Sequence, residues 1–325
     1  MGTQPSGSAL AVNVATAVAS FAVAGAVFHR GWQTSARRVW RFNSFAEVHK
    51  ADWSSRINST VHAIVVCTLV AICLLTMSFD PETLVPIGST TLMEVTFSIS
   101  IGYFFFDLAA IIWWMLPMWS VFIVHHLVAL TPYVITQFFY TCHAGQYALL
   151  VFLLVEASTV PLNAMAFLED LGRRRSTAHR VAHGTMYSLW FVFRVLLPAY
   201  LMVLIWTKIV RQFDSEETCL LPSMICAHII ALFCIGIFIF VLTPEVWCRL
   251  RHGDKEEPEI DVALSEGAVV QSSSPVAMEM GEGGGNRSPG AAGGAYHDLE
   301  SVGSAEGGPP SPKRTIASVA REGPQ

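Results

Sequence analysis

Seven apolar stretches divide most of this chain, and they limit what it can fold into. They cover residues 9–28, 60–78, 92–114, 118–140, 143–167, 184–207 and 221–243. A helix of about 20 apolar residues crosses the ~30 Å hydrocarbon core of a bilayer. Each spanning segment must satisfy its own backbone hydrogen bonds there, which favours helices. The pattern therefore predicts an all-α, polytopic membrane helix bundle with seven transmembrane helices.

The composition agrees with a membrane protein. Of the 325 residues, 53% are hydrophobic and 14% are charged, whereas soluble domains carry about 25% charged residues. The net charge is −5, and no basic patch stands apart from the flanks of the apolar stretches. Because nucleic-acid binding needs such a patch, we expect no nucleic-acid partner.

The chain divides into three predicted parts. Residues 1–49 hold an anchor helix and a cytosolic loop, in which residues 34–48 mix arginine with aromatic residues like an interfacial helix. Residues 50–248 hold the other six helices. Residues 249–325 hold 7 basic and 12 acidic side chains in a Gly-, Ser- and Pro-rich sequence. This tail has few apolar residues to bury, so we expect it to be disordered, with cytosolic partners that the sequence does not identify.

Loop charges predict the orientation. The loop at 29–59 holds six Lys and Arg residues and the loop at 168–183 holds four, whereas the 79–91 loop holds none. Since basic loops stay in the cytosol, the N-terminus is predicted to be lumenal and the C-terminus cytosolic. Cys142 and Cys219 then both lie in lumenal loops, where a disulfide is a hypothesis.

Ionisable residues inside the apolar stretches are the candidate site. Counting ~1.5 Å per helical residue from the turn at 115–117 puts Asp107 and His125 level with each other, roughly 11 Å inside the cytosolic boundary. Polar residues of the fifth and sixth stretches reach similar depths, and His62 lies shallower on the second. Because buried polar groups in lipid must contact one another or water, we expect six helices around one shared polar cavity. The candidate substrate-binding residues are His62, Tyr103, Ser158, Thr159, Asn163 and Arg194.

The candidate catalytic residues are His125, His126, Glu156 and Asp107. Two adjacent residues point ~100° apart on a helix, so one histidine would face the cavity and the other would bond a neighbouring helix, Asp107 being the candidate partner. A histidine serves as base or nucleophile near neutral pH; alternatively, both only join helices. Glu156 would either orient a histidine or neutralise Arg194. No third His or Cys has a spacing that favours a metal site.

Three prolines lie within the predicted helices, each one or two turns after a polar residue. Pro132, Pro161 and Pro198 each remove a backbone hydrogen bond and free the carbonyl four residues earlier. Such kinks are tolerated where backbone lines a cavity or is covered by another helix. Ordinary kinks in a packed bundle are the alternative interpretation.

Four motifs in order resemble the TLC-domain family. They are "DWSSRINSTVHAIV", "SISIGYFFFDL", "VHHLVAL" and "VEASTVPLNAMAFL", within about residues 50–245. The resemblance implies six helices around a central cavity, usually in the endoplasmic reticulum. In ceramide synthases of this family, two histidines and two aspartates transfer an acyl group from acyl-CoA to a sphingoid amine. His125 and His126 match the histidine pair and Glu156 keeps the first carboxylate, but Thr159 replaces the second aspartate, as is typical of the TLC-domain-containing branch.

These observations predict a membrane protein of lipid homeostasis that binds a lipid or acyl chain in an intramembrane cavity. The first alternative is an enzyme: an acyltransferase of ceramide synthase type with acyl-CoA as co-substrate, or an acyl-lipid hydrolase, using the histidine pair. The second alternative is a lipid transport or trafficking adaptor. No cofactor is expected otherwise.

Overall fold

All seven predicted spans are helical in the computed structural model, which describes residues 6–139 and 143–252, without the side chains of 213–219, 249, 250 and 252. The helices long and apolar enough to cross a bilayer are Gly7–Arg38, Glu47–Thr76, Thr91–Trp114, Trp119–Phe139, His143–Asp170, Thr177–Gln212 and Leu220–Cys248. The predicted fold class is confirmed. The predicted tail beyond residue 252 and the Cys142–Cys219 pair lie outside the described residues.

Ten α-helices and several irregular turns make up these spans. The α-helices are α1 (Gly7–Arg38), α2 (Glu47–Thr76), α3 (Thr91–Trp114), α4 (Trp119–Val134), α5 (His143–Phe152), α6 (Thr159–Asp170), α7 (Thr177–Trp190), α8 (Leu197–Leu204), α9 (Phe213–Ile237) and α10 (Thr243–His252). The 3₁₀ turns are Trp40–Ser44, Leu153–Ser158 and Val210–Gln212. The π-helical turns are Ile135–Phe139, Phe191–Leu196, Ile205–Ile209 and Phe238–Leu242.

A short antiparallel hairpin, absent from the prediction, follows α2. Its strands are β1 (Ser78–Phe79) and β2 (Pro86–Ile87). The Asp80 carboxylate accepts hydrogen bonds from the backbone N–H groups of Thr83 and Glu82. The bond from Thr83 contributes most to lowering the pKa of Asp80, and the bond from Glu82 adds to it, because both favour the charged form.

The segment at 34–48, predicted to resemble an interfacial helix, is divided between three elements in the structure. Helix α1 continues to Arg38, and a single 3₁₀ turn leads into α2. Phe42 in that turn is fully buried, with ring centroids 5.9 Å from Trp32 and 6.1 Å from Trp53. Phe42 therefore packs onto α1 and α2, whereas Trp40 of the same segment is exposed.

Helix α3 is the most enclosed span. Its most apolar stretch is 67% buried within the protein, against 17% for α1. At Gly102 the backbone of α1 lies so close that an added Cβ would be 2.9 Å from the Phe21 nitrogen and 2.7 Å from the Ser20 Cβ. Ser20 also donates to the Ile99 carbonyl over 2.6 Å. The small residues of α3 thus allow close packing, which holds Asp107 deep in the bundle.

Candidate functional site

Asp107 joins three helices through its two carboxylate oxygens. Its Oδ2 lies 2.9 Å from His126 Nε2 on α4, and its Oδ1 accepts a 2.7 Å bond from the Ser55 hydroxyl on α2. Asp107 and His126 are each 7% exposed. The equal depth that the sequence predicts for the third and fourth spans is therefore present as a direct side-chain bond, and it is His126 that makes it.

Both ring nitrogens of His126 are occupied. Nδ1 lies 2.8 Å from the Phe122 carbonyl oxygen, which can only accept, so Nδ1 carries a proton. Nε2 then shares the remaining proton with the Asp107 carboxylate, and the pair as a unit is neutral. Because no nitrogen is left for a ligand, His126 fits a positioning role and His125 is the histidine available for chemistry.

His125 lines a cavity to which the third to seventh spans contribute, the third through Phe104. Its ring lies 5.5 Å from that of His126 at 85°, and 5.4 Å from that of Phe233. Its Nδ1 is buried and has no hydrogen-bond partner in the structure. An unpaired buried nitrogen costs free energy unless a partner binds there. Other buried atoms, such as His62 Nε2, also lack a partner, but His125 lines a cavity, so its Nδ1 indicates a ligand position.

The cavity has a volume of about 50 Å³ and is polar at one end. Its polar lining residues are His125, Glu156 and Arg194. The lining beyond them is apolar: from His125, α4 continues through Val128 and Ala129 to Tyr133. One further cavity of about 30 Å³ extends past this apolar end, and the two share Leu149, Phe152 and Ala227 in their walls.

Thr159 connects the two charged residues of the cavity. Arg194 donates from Nη2 to the Thr159 hydroxyl over 3.1 Å, and that hydroxyl donates to Glu156 Oε2 over 2.9 Å. Arg194 Nε also donates to Ser158 over 2.7 Å, and its guanidinium lies 4.7 Å from the Trp190 ring centroid. Of the two predicted roles of Glu156, neutralising Arg194 takes this indirect form, since the two side chains make no direct ion pair.

Of the six predicted substrate-binding residues, only Arg194 lines the cavity. Ser158 and Thr159 contact Arg194 from outside the lining, and the other three lie at helix contacts. His62 stacks on Tyr103 with ring centroids 3.8 Å apart, which packs α2 against α3. Asn163 donates to the Arg56 carbonyl (3.0 Å), Ser59 (2.7 Å) and Thr60 (3.0 Å), which fastens α6 to α2. Position along a helix does not determine which side of the helix a residue faces, and these residues face neighbouring helices.

The irregular turns lie where the prolines predict kinks. Glu156 sits in the 3₁₀ turn Leu153–Ser158, just before Pro161, and Arg194 sits in the π-helical turn Phe191–Leu196, just before Pro198. Pro132 lies three residues before the π-helical turn Ile135–Phe139. Such interruptions are frequent at functional sites, because they re-aim side chains. Here they carry two of the three polar residues of the cavity.

Sequence reasoning missed Ser55 and Phe152. Ser55 lies in the "DWSSRIN" motif, but only the fold shows that its hydroxyl meets Asp107. Phe152 is an apolar residue in an apolar helix, and nothing in the sequence marks it as the wall between two cavities. Within the described residues, no group of three or more His, Cys, Asp or Glu is arranged to hold a metal ion.

Comparison with known proteins agrees with this arrangement. A family model described as TLC domain matches residues 52–243, more than half of the chain. The chain belongs to the TLC-domain family. TLC domain-containing protein 4-B of Xenopus laevis is 28% identical over 203 residues, which are 58% of this chain and 72% of that protein. The protein of the same name from Danio rerio is 32% identical over 163 residues, 49% of this chain and 58% of that protein.

No solved structure significantly matches the chain. The relatives support the TLC-domain-containing branch that the Glu156-to-Thr159 segment indicates. The TLC-domain match begins after α1 and ends at the start of α10. All the residues that form the cavity and the Asp107–His126 pair lie within it.

Proposed function

We propose that this TLC-domain protein binds a membrane lipid in the cavity, with the polar part of the lipid against His125, Glu156 and Arg194. One observation carries the proposal: the unpaired Nδ1 of His125 is buried at the polar end of an otherwise apolar cavity. The acyl chain of the lipid would extend the other way, past Phe152. Lipid homeostasis is the broader role that such binding would serve.

The size of the two cavities supports binding only with side-chain movement. Small-molecule pockets usually measure about 300–1,000 Å³, whereas these cavities measure about 50 and 30 Å³. Phe152 lies in the wall that the two share. Rotation of its ring would join them into one channel from His125 towards Thr136, about 16 Å at ~1.5 Å per helical residue. We therefore expect the bound lipid to hold Phe152 in a second rotamer.

Lipid retention by the purified protein tests the proposal. The wild type and the variants His125→Ala and Arg194→Gln would be purified in mild detergent, and their bound lipid quantified by mass spectrometry. His228→Ala is the matched control, because His228 bonds Trp206 and does not line the cavity. We expect the two cavity variants, but not the control, to lose the lipid. Equal lipid content in all four proteins would overturn the proposal.

Acyl transfer is the second candidate function. The observation that favours it is the proximity of a free imidazole nitrogen and a carboxylate in one buried cavity, which fits a nucleophile or general base and the group that orients it. Labelled acyl-CoA would be supplied with long-chain bases and with lysolipids. Product from the wild type, but not from His125→Ala, would make the protein an enzyme; bound lipid without product would favour a binding protein.

We further propose residence in the endoplasmic reticulum with a lumenal N-terminus and a cytosolic C-terminus. Cys248 is exposed in the last helix and offers a direct test. A membrane-impermeant maleimide added to sealed microsomes should label Cys248 without detergent, and the Cys248→Ser variant should lose this label. Labelling of Cys248 only after the membrane is opened would reverse the orientation.

A further inference from the structure

A groove lined mainly by α1, which precedes the TLC-domain match, runs between α1 and α2. Its volume is about 450 Å³, and six of its lining residues are Val23, Ala26, Val27, Arg30, Thr34 and Ile57. This volume lies within the usual range for small-molecule sites, about 300–1,000 Å³. The groove thus has room for part of a lipid without rearrangement, unlike the cavity at His125.

Small residues of α1 create the groove. Gly31 is buried on its floor, where an added Cβ would lie 3.3 Å from the Ile57 side chain. Ser35, beside it, accepts a 2.9 Å hydrogen bond from the Trp53 indole on α2. The two helices are therefore held together along the floor, and Ala26 leaves the space above it unfilled.

Arg30 supplies a charge at one end of the groove. Its side chain is exposed, and among the described residues no carboxylate lies within ion-pair distance of it. The nearby Arg56 of α2 differs, because Asp52 pairs with it over 2.8 Å. Thr34 lies one helical turn beyond Arg30 on the same face of α1 and also lines the groove. The guanidinium and this hydroxyl are two hydrogen-bond donors at the groove's basic end.

The groove is therefore amphiphilic along its length. Arg30 lies eight residues before the end of α1 at Arg38, in the part of the helix that also carries Arg37. Val23, Ala26 and Val27 lie one to two turns from Arg30 in the direction of the hydrocarbon core. A phosphate at Arg30 and an acyl chain along the valines would match this order of polar and apolar groups.

We propose that this groove binds an anionic phospholipid, with its phosphate held by Arg30 and Thr34 and one acyl chain along Val23 and Val27. A guanidinium can donate two parallel hydrogen bonds to two phosphate oxygens, which an ammonium does less readily, and this geometry suits a phosphodiester. The site is separate from the cavity at His125, and neither proposal requires the other.

The test compares lipid retention by the full chain in nanodiscs of phosphatidylcholine with added phosphatidic acid. Native mass spectrometry would count the phosphatidic acid molecules that stay bound while collisional activation removes the other lipids. Arg30→Gln should weaken its retention about fivefold, the equivalent of ~1 kcal/mol for one cation at an anionic headgroup. Arg37→Gln is the matched control: it removes a charge from the same end of α1 but from outside the groove lining.

A second variant tests the apolar part of the site. Ala26→Phe should fill the groove and lower retention even though Arg30 is intact. Equal losses in Arg30→Gln and Arg37→Gln would overturn the proposal, since they would indicate attraction to the basic end in general. Equal retention of phosphatidylcholine and phosphatidic acid by the wild type would also overturn it. His125→Ala should keep the bound phosphatidic acid, which separates this site from the cavity.

Discussion

His125 and His126 are identical, adjacent residues with opposite environments. His126 has a partner at both nitrogens, whereas Nδ1 of His125 is buried without one. A helix turns ~100° per residue, so one residue faces α3 and the next faces the cavity. The imidazole of His126 therefore has a structural role, whereas that of His125 is free to bind a ligand.

The stability of the variants should separate these roles. His126→Ala and Asp107→Asn each break a buried pair, and we expect each to lower the free energy of unfolding by ~2 kcal/mol. His125→Ala removes no hydrogen bond but does remove a ring packed against Phe233, and we expect it to cost about 1 kcal/mol, less than His126→Ala. Thermal unfolding in detergent measures this, with ~2–4 °C expected per kcal/mol for a protein of this size. A melting temperature of His125→Ala as low as that of His126→Ala would contradict the assignment.

Thr159 is a second residue whose role can be tested singly. Its hydroxyl accepts from Arg194 and donates to Glu156, so Thr159→Val removes both bonds at nearly constant volume. We expect a loss of ~2 kcal/mol, because a buried guanidinium then lacks one of its partners. Thr159→Ser keeps the hydroxyl and should stay within about 1 kcal/mol of the wild type. Thermal unfolding compares the two variants, and equal losses would show that the methyl group, not the hydroxyl, matters.

The sequence predicts the relative depth of some polar residues better than it predicts which of them meet. Counting helical residues from a shared turn correctly puts Asp107 level with the histidine pair. It does not reveal which histidine bonds Asp107, because that depends on the rotation of α4 about its axis. The same ambiguity applies to Tyr103, which stacks on His62 and does not line the cavity.

At the scale of elements, the irregular turns aim the polar side chains. A regular helix repeats its faces every ~3.6 residues, and a 3₁₀ or π-helical turn shifts that repeat. The turns Leu153–Ser158 and Phe191–Leu196 bring Glu156 and Arg194 to the same cavity. Prolines marked these places in the sequence, but the type of turn depends on packing, which the sequence alone does not specify.

Replacing Pro161 should therefore lower lipid binding without lowering stability. Pro161→Ala restores a backbone N–H in α6 and lets the preceding 3₁₀ turn become regular helix. We expect little change in thermal stability, because Pro161 lies in the first turn of α6, where proline is tolerated, together with loss of bound lipid as Glu156 turns away. Pro222→Ala in α9 is the control, because Pro222 lies inside a helix and follows no irregular turn that carries a polar cavity residue. Unchanged lipid content in Pro161→Ala would show that the turn does not aim Glu156.

At the scale of the whole molecule, α1 lies outside the TLC-domain match but packs on α3, the most buried span. The match begins at residue 52, after α1. Yet Gly102 of α3 meets the α1 backbone at Ala17 and Phe21 with no room for a Cβ. In the sequence, Ser98 and Gly102 form a small-residue pair typical of close helix packing. The sequence does not identify α1 as the helix that packs against Gly102.

Gly102→Ala should consequently separate α1 from the rest of the protein. One added methyl group must displace the rigid backbone of α1, and such overpacking costs about 1–3 kcal/mol. Gly184→Ala is a demanding control, because Gly184 also lies inside a helix but has nothing within 4 Å of an added Cβ; it should be neutral or stabilising by up to ~1 kcal/mol. Limited proteolysis of the 39–46 connection would detect loosening of α1 in Gly102→Ala alone.

Since α1 forms one wall of the groove at Arg30, Gly102→Ala should also release phosphatidic acid, while lipid in the cavity at His125 stays bound. Cleavage and lipid release that are alike in both glycine variants would mean that α1 is held elsewhere, by contacts such as those of Trp32 and Phe42.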